Sequence, residues 1–326
     1  MWEDGRPNNA RPPTRFGRYP VTAGDVFGVL TYKFTGAEPV WDAPVENVVL
    51  LLRLPRVFAA FLIGGGLAMS GAAYQSIFRN PLAAPELLGV FQGSCVGAAS
   101  AILMGSGNLS IQIFALCGGI TAVAMTRGIT AFFKNDSTAM LVLSGVIVSG
   151  LMRSVLGMLK YMMDSDTQLP SITYWELGSL SDMTMQKVMA IAPTMLISMT
   201  VLLSMRWQFN LLSLGDDEAR SLGVNVPAVR GTVVTCATLL TSCAVCLGGT
   251  IAWVGLVIPH LGRLLVGPDN VKLSPVAFLG GSIFLIAVDT MARSLSGMEI
   301  PLSILTGLVG APIFILLIAR QRVRLR

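Results

Sequence analysis

Charged residues are scarce in this chain. They make up 13% of its 326 residues, whereas 53% of the residues are hydrophobic and the mean hydropathy is +0.68. Soluble domains carry about 25% charged residues, so this composition excludes an ordinary soluble protein and indicates a polytopic membrane protein. The net charge of +5 is modest, and the sequence has no basic stretch interleaved with aromatic residues that would indicate a nucleic-acid partner.

Catalytic and metal-binding motifs are also lacking. The chain has one histidine, His260, and contains neither a Gly-Lys dipeptide nor a Gly-x-Ser-x-Gly sequence. It therefore has no phosphate-binding loop of the ATPase type and no serine nucleophile elbow. Cys243 and Cys246 have the spacing of a redox or metal pair, but no second pair accompanies them, so buried structural cysteines are the better interpretation. We expect a non-catalytic chain that binds no cofactor or metal of its own.

What the sequence does contain is a series of apolar segments. A bilayer core of about 30 Å requires about 20 apolar residues in a helix. Nine segments come near this length, if a short one broken by Pro259 is counted: 57–78, 87–105, 109–132, 140–163, 188–205, 231–249, 251–266, 273–296 and 302–319. The predicted fold is an all-α polytopic transmembrane helical bundle, with an amphipathic surface helix near 170–186.

The chain is predicted to have a polar N-terminal segment, 1–46, and a transmembrane domain, 47–326. If the basic C-terminal tail lies inside, alternation of the spans places most loop arginines and lysines inside as well, as the positive-inside rule requires. The same alternation leaves Arg53, Arg56 and Arg293 outside. The arginines of the N-terminal segment would also lie outside, against the rule.

A polar segment of about 25 residues, 206–230, separates two of the apolar runs. We call it the polar island. Ser213 or Asp216 could cap a short helix with an acidic first turn, and Gly223 could end it. Two interpretations remain open from the residues alone: a solvated loop between spans, and a docking element that a soluble partner grips.

Few charges lie within the spans. Asp289 and Arg293 are four residues apart on one helical face, which predicts an ion pair; a proton-carrying Asp289 is the functional alternative. Arg153 and Lys160 are seven apart on one face of the segment 140–163. They could line a cavity, or extend to the membrane surface as long basic side chains do.

Several segments occur together in an order that is typical of one family. The resemblance covers about residues 20–320. The segments that carry it are Arg53-Leu-Pro-Arg56, Ser70-Gly71, Asn80-Pro-Leu-Ala-Ala-Pro-Glu-Leu-Leu-Gly89, Leu212-Ser-Leu-Gly-Asp-Asp-Glu-Ala-Arg-Ser-Leu-Gly223, Gly255-Leu-Val-Ile-Pro-His-Leu-Gly-Arg263, Asp289-Thr-Met-Ala-Arg293, Glu299-Ile-Pro-Leu302 and Gly310-Ala-Pro312. With these segments the chain resembles the FecCD group, the permease subunits of ABC importers for iron–siderophores, haem and cobalamin.

The resemblance implies a homodimer of ten-helix subunits of the type II importer kind, in the bacterial inner membrane. It also implies two cytoplasmic ATPase subunits, which bind ATP and Mg, and a periplasmic or lipid-anchored substrate-binding protein. The expected cargo is a ferric siderophore, followed by haem, cobalamin or an oxyanion such as molybdate. The family's first apolar helix has no counterpart in residues 1–46. The alternative function is a proton-coupled secondary transporter that uses Asp289.

The resemblance also assigns roles to residues. Coupling to the ATPase is implied for six residues of the polar island: Asp216, Asp217, Glu218, Arg220, Leu222 and Gly223. Docking of acidic residues of the binding protein is implied for Arg53, Arg56 and Arg293. An inner gate of the solute path is implied at Ser137, Thr138 and Ala139.

Overall fold

The computed structural model describes residues 21–35, 41, 43–135, 137–295 and 298–324. Within these ranges the chain forms fourteen α-helices, one π-helical segment (Val48–Arg53), one 3-10 turn (Pro85–Leu88) and no β-strand. The α-helices are α1 (Ala23–Thr35), α2 (Ala43–Asn47), α3 (Leu54–Ile77), α4 (Val90–Leu103), α5 (Asn108–Phe132), α6 (Thr138–Met162), α7 (Gln168–Leu177), α8 (Met185–Ser204), α9 (Arg206–Leu214), α10 (Asp216–Ser221), α11 (Val226–Gly248), α12 (Val254–Val266), α13 (Asn270–Ser294) and α14 (Leu302–Arg324).

Nine of these helices correspond to the nine predicted apolar segments, so the predicted bundle is confirmed. Helices α5, α6, α8, α11, α13 and a continuous run that contains α3 are long and apolar enough to cross a bilayer. Helices α4 and α12 and the apolar part of α14 are shorter. The surface helix predicted near 170–186 is α7, which already ends at Leu177 because Gly178 takes a φ of +74°.

The first span begins much earlier than the predicted residue 57. Its helical run, Pro44–Ile77, has 34 residues and is therefore about 50 Å long, which exceeds the bilayer core. Helix α1 packs against the protruding start of this run through a small cluster of valines. The boundary predicted at 46/47 thus falls inside a helix. The expectation that residues 1–46 lack the family's first helix stays a prediction: residues 1–20 lie outside the described residues, and the described part of the rest contains α1 and most of α2.

Helices α3 and α11 form the centre of the bundle. Twenty of the 24 residues of α3 are buried, and glycines let its neighbours approach backbone to backbone. A Cβ atom added at Gly64 would overlap the carbonyl oxygen of Gly281 in α13, and one added at Gly71 would overlap that of Gly255 in α12. Small residues of this kind favour close packing in membranes, where lipid offers no hydrophobic force between helices.

Helices α3 and α13 run antiparallel, and each end of the pair carries a polar contact. At the start of α3, Arg56 binds Asp289 near the end of α13; at the end of α3, Ser76 binds Asn270 at the start of α13. Arg56 and Ser76 are 20 residues apart, or about 30 Å along the helix, which is close to the thickness of a bilayer core. We call these the arginine end and the island end, since the polar island packs at the second.

Candidate functional site

Four charged side chains form one connected cluster at the arginine end. The Nε of Arg56 donates to Asp289 at 2.7 Å, and its two Nη atoms donate to the two carboxylate oxygens of Glu299 at 2.9 and 2.8 Å. The second carboxylate oxygen of Asp289 accepts a hydrogen bond from the Nε of Arg293 at 3.1 Å. The arginine cluster therefore joins α3, α13 and the segment before α14.

The ion pair predicted between Asp289 and Arg293 is confirmed. Arg56, however, is 7% exposed, and its guanidinium already binds two carboxylates of its own chain. The three predicted docking residues therefore differ in accessibility: Arg53 and Arg293 are partly exposed, whereas Arg56 is buried. The docking role of the three residues stays a prediction.

Because the arginine cluster is buried, removal of one of its members is expected to cost free energy of unfolding. Asp289 is 2% exposed, and its carboxylate is compensated by the two arginines. A buried ion pair adds little net stability over an apolar contact, but removal of one partner leaves an uncompensated charge and costs about 3–5 kcal/mol. Glu299, which completes the bidentate pair with Arg56, was not predicted as a site residue. The Glu-Ile-Pro-Leu motif that contains it was its only signal in the sequence.

The polar island forms two short helices, α9 and α10, where one was predicted. Gly215, with a φ of +145°, separates them in a conformation that side chains disfavour. The capping prediction was wrong: Ser213 lies inside α9, Asp216 is the first residue of α10, and no side chain caps α10. The acidic first turn and the end of the helix near Gly223, with a φ of +84°, are as predicted.

The six predicted coupling residues divide into two groups. Asp216 is half-buried and faces the protein, because both its carboxylate oxygens accept from the Nη2 of the buried Arg230 at 3.0 Å. The other five are exposed: Asp217, Glu218, Arg220, Leu222 and Gly223. Helix α10 is thus fixed to the start of α11 on one side and offers charged and apolar groups to solvent on the other. Its coupling role stays a prediction.

A network of amide and hydroxyl groups connects the polar island to the transmembrane helices. Asn210, in α9, donates to Asp269 at 2.7 Å and accepts from the backbone N–H and the side-chain amide of Asn270 at 2.7 and 3.0 Å. Asn270 in turn accepts from Ser76 of α3 at 2.8 Å. We call Ser76, Asn210, Asp269 and Asn270 the amide network.

The partners of Asn210 fix the orientation of its amide. An ionised carboxylate only accepts and a backbone N–H only donates, so the amide nitrogen of Asn210 must face Asp269 and its oxygen must face Asn270. Hydrogen bonds from the Asn210 amide and from the backbone N–H of Val271 hold the pKa of Asp269 below its ordinary value. The amide network was not predicted from the sequence. The residues around Asn210 gave no sign that its side chain would contact Asn270, 60 positions later.

The predicted gate residues lie at the island end, where α6 begins. The Oγ of Ser137 caps the helix by accepting from the backbone N–H of Met140 at 3.3 Å, and Thr138 and Ala139 form the first turn. Ser137 and Ala139 are exposed and Thr138 is half-buried. Their gating role stays a prediction.

Cys243 and Cys246 are buried in α11 as free thiols. Among the residues that the structure describes, no three histidine, cysteine, aspartate or glutamate side chains converge on a point where they could hold a metal. His260 is buried in α12, with its ring in edge contact with that of Phe314 in α14.

The fold alone shows a polytopic membrane protein with polar segments at both ends of its bundle. The chain belongs to the FecCD transport family, whose model matches residues 14–320. This confirms the family predicted from the motifs. The chain is accordingly a membrane permease of the ABC importer type, and its family implies association with ATPase subunits and a substrate-binding protein.

Named relatives carry different cargoes. The chain is 39% identical, over 94% of its length and 90% of the relative, to the molybdate import system permease protein MolB of Haemophilus influenzae. It is 36% identical, over 90% of each chain, to the hemin transport system permease protein HmuU of Yersinia pestis. A solved metal-chelate type ABC transporter in an inward-facing conformation matches 92% of the chain and 100% of its own, with 37% identity and a TM-score of 0.82.

Proposed function

We propose that this chain is the non-catalytic permease subunit of an ATP-driven importer in a bacterial cytoplasmic membrane. Two copies would form the solute path, two ATPase subunits would bind ATP and Mg at the island end, and a binding protein would deliver solute at the arginine end. The observation that carries the proposal is the separation of these two ends by about 30 Å of helix, with α10 exposed at one of them.

The ATPase subunits are proposed to bind the exposed side of α10. Asp217, Glu218 and Arg220 offer charges there, and Leu222 adds an apolar side chain that is 58% exposed. Movement of α10 would reach α11 through the Asp216–Arg230 ion pair. It would reach α3 and α13 through the amide network, in which Asn210 acts as a positioning residue. The proposal needs no other contacts to carry movement from the ATPase to the membrane-spanning helices.

The binding protein is proposed to dock through Arg53 and Arg293, with Arg56 holding the surface beneath them. Positive charge at the rim of an interface speeds encounter and fixes orientation more than it adds affinity. Because Arg56 binds Asp289 and Glu299, its contribution would be to fix the position of α3 against α13. Contact with the partner would be secondary for this residue.

The proposed cargo is a metal-containing solute, either a chelate or an oxyanion. The siderophore expected from the breadth of the family and the molybdate carried by a relative of 39% identity are the first two candidates to test. Binding of molybdate, ferric siderophores, haem and cobalamin to the partner binding protein would separate them.

The alternative, a secondary transporter with Asp289 as proton carrier, has less support. Both carboxylate oxygens of Asp289 are already bound by Arg56 and Arg293, so its contacts are accounted for by the packing of α3 on α13. Family membership also favours the ABC importer.

Charge reversal on α10 tests the proposal. In membranes that contain the permease and its partner ATPase, Glu218→Arg is expected to reduce copurification of the ATPase at least about tenfold, since like or unpaired charge at an interface costs several kcal/mol. The matched control is Asp182→Arg, an exposed acidic residue in another loop. Equal copurification of the ATPase with both variants would refute the proposed coupling surface.

A further inference from the structure

The two basic residues of α6 have different surroundings. Lys160 forms an ion pair with Glu176 of α7 at 2.7 Å. Arg153 is exposed, and it forms no hydrogen bond or ion pair with any residue that the structure describes. Of the two basic residues that the sequence places on one face of α6, Lys160 therefore has an acidic partner, and Arg153 has none among the described residues.

Arg153 is too deep in the span to reach either membrane surface easily. It is the sixteenth of 25 residues in α6, about 22 Å from Thr138 and about 13 Å from Met162 along the axis. The nearer end is the C-terminal one, but the Cα–Cβ bond of a helical residue tilts toward the N-terminus, so the side chain starts away from that end. A charged guanidinium in lipid is strongly unfavourable, so this side of α6 must border water or polar groups.

The exposed face of α6 has two unlike borders. At 3.6 residues per turn, Gly150 and Gly157 lie on the same side as Arg153, one turn before and one turn after it. A Cβ atom added to either glycine would meet no other atom within 4 Å, so no neighbouring helix of the described chain covers these two positions. The opposite border is apolar, with exposed side chains at Leu151 and Val155. Val146, two turns before Arg153, is also exposed, so the polar part of the first border is the stretch from Gly150 to Gly157. This arrangement fits a helix that borders a wet path at Arg153 and lipid or a second copy elsewhere.

We infer that Arg153 lines the solute path and contacts an anionic cargo, either a metal oxyanion or a negatively charged metal chelate. The inference rests on the proposed importer function and narrows its substrate class. A guanidinium offers several donors in one plane, which suits the oxygen atoms of oxyanions and carboxylates. One arginine from each of the two copies would select the solute by charge, without the dense set of contacts that would trap it.

The first test needs no transport. In a Cys117→Ser background, which removes the exposed native cysteine, Arg153→Cys is compared with Val155→Cys in proteoliposomes of the whole complex. A membrane-impermeant charged thiol reagent is expected to label Arg153→Cys at least about tenfold faster, because thiolates form in water and not in lipid. Equal, slow labelling of both variants would overturn the inference.

The second test measures uptake of molybdate and of a ferric siderophore by the same complex. Arg153→Gln is expected to lower uptake of the anionic solute about tenfold, Arg153→Lys to retain most of it, and Ser154→Ala, the matched control on the same helix, to leave it unchanged. Unchanged uptake in Arg153→Gln would overturn the inference. Failure of the unmodified complex to show any ATP-dependent uptake would instead refute the proposed function. The labelling experiment would still test the position of Arg153, because it does not depend on transport.

Discussion

The two ends of the α3–α13 pair are fastened in different ways. At the arginine end four full charges are connected over distances of 2.7–3.1 Å, and the aspartate at the centre is almost completely buried. At the island end the contacts are made by amides and a hydroxyl, with one carboxylate at the surface. The arginine end is therefore fixed by interactions that are costly to break, and the island end by interactions of modest net free energy.

This difference matches what each end would have to do in the proposed importer. A surface that receives a partner benefits from a fixed geometry, since its groups are then ordered before binding. A segment that transmits movement must exchange one set of hydrogen bonds for another at small cost. A neutral hydrogen bond contributes about 1 kcal/mol net, whereas a broken buried ion pair costs several times more.

The largest expected effect comes from breaking the arginine cluster. Arg56→Leu should lower the free energy of unfolding by about 3–5 kcal/mol, because it leaves Asp289 buried with one partner and Glu299 without its bidentate contact. Denaturant unfolding in detergent micelles would measure the loss.

The control for this substitution is Arg220→Leu, which removes an exposed pair with Asp217 at 3.4 Å. That change should stay within about 0.5 kcal/mol, because exposed pairs contribute little. Similar losses for the two arginines would contradict the contrast between buried and exposed charge.

An exchange of charge tests the amide network. Asn210→Asp places a second carboxylate against Asp269 and removes the donor between them. The number of solute molecules moved per ATP should then fall about fivefold, because a hydrogen bond of about 1 kcal/mol corresponds to a factor of about five. Adding Asp269→Asn to the same chain restores a donor and an acceptor in exchanged positions.

The double variant should therefore recover most of the coupling ratio, whereas Ser213→Ala should not alter it, since the hydroxyl of this exposed α9 residue bonds only within its own helix. If the single and double variants were equally impaired, the charge exchange would not have repaired the link. The role of Asn210 would then have to be given up.

The smallest expected effect separates two neighbouring aspartates. Asp216→Asn weakens the ion pair with the buried Arg230 and should cost about 1 kcal/mol of unfolding free energy, the usual value for one hydrogen-bonded contact. Asp217→Asn should cost close to nothing, because its side chain is 94% exposed. Chemical denaturation of both variants beside the unmodified chain would resolve the difference; a larger loss for Asp217→Asn would reverse our assignment of the inner and outer sides of α10.

Local pattern was enough for most of the architecture. The lengths of the apolar runs predicted nine helices, because the thickness of a bilayer dictates the length of a helix that crosses it. The acidic first turn and the terminal glycine of the polar island predicted a short helix, and the Asp289–Arg293 pair followed from one helical turn. Each of these signals lies within a few residues of the feature that it predicts.

The amino-acid sequence was sufficient for the membrane class, the family, the spans and the positions of the polar segments, since all of these depend on neighbouring residues. Which charges from distant parts of the chain meet was visible only in the folded structure. Arg56 finds Asp289 and Glu299 across 233 and 243 residues, and Asn210 finds Asp269 across 59. The physical reason is that α3 and α13 pack closely at glycines, and this packing fixes their register along each other. The sequence of one helix does not specify its register against another.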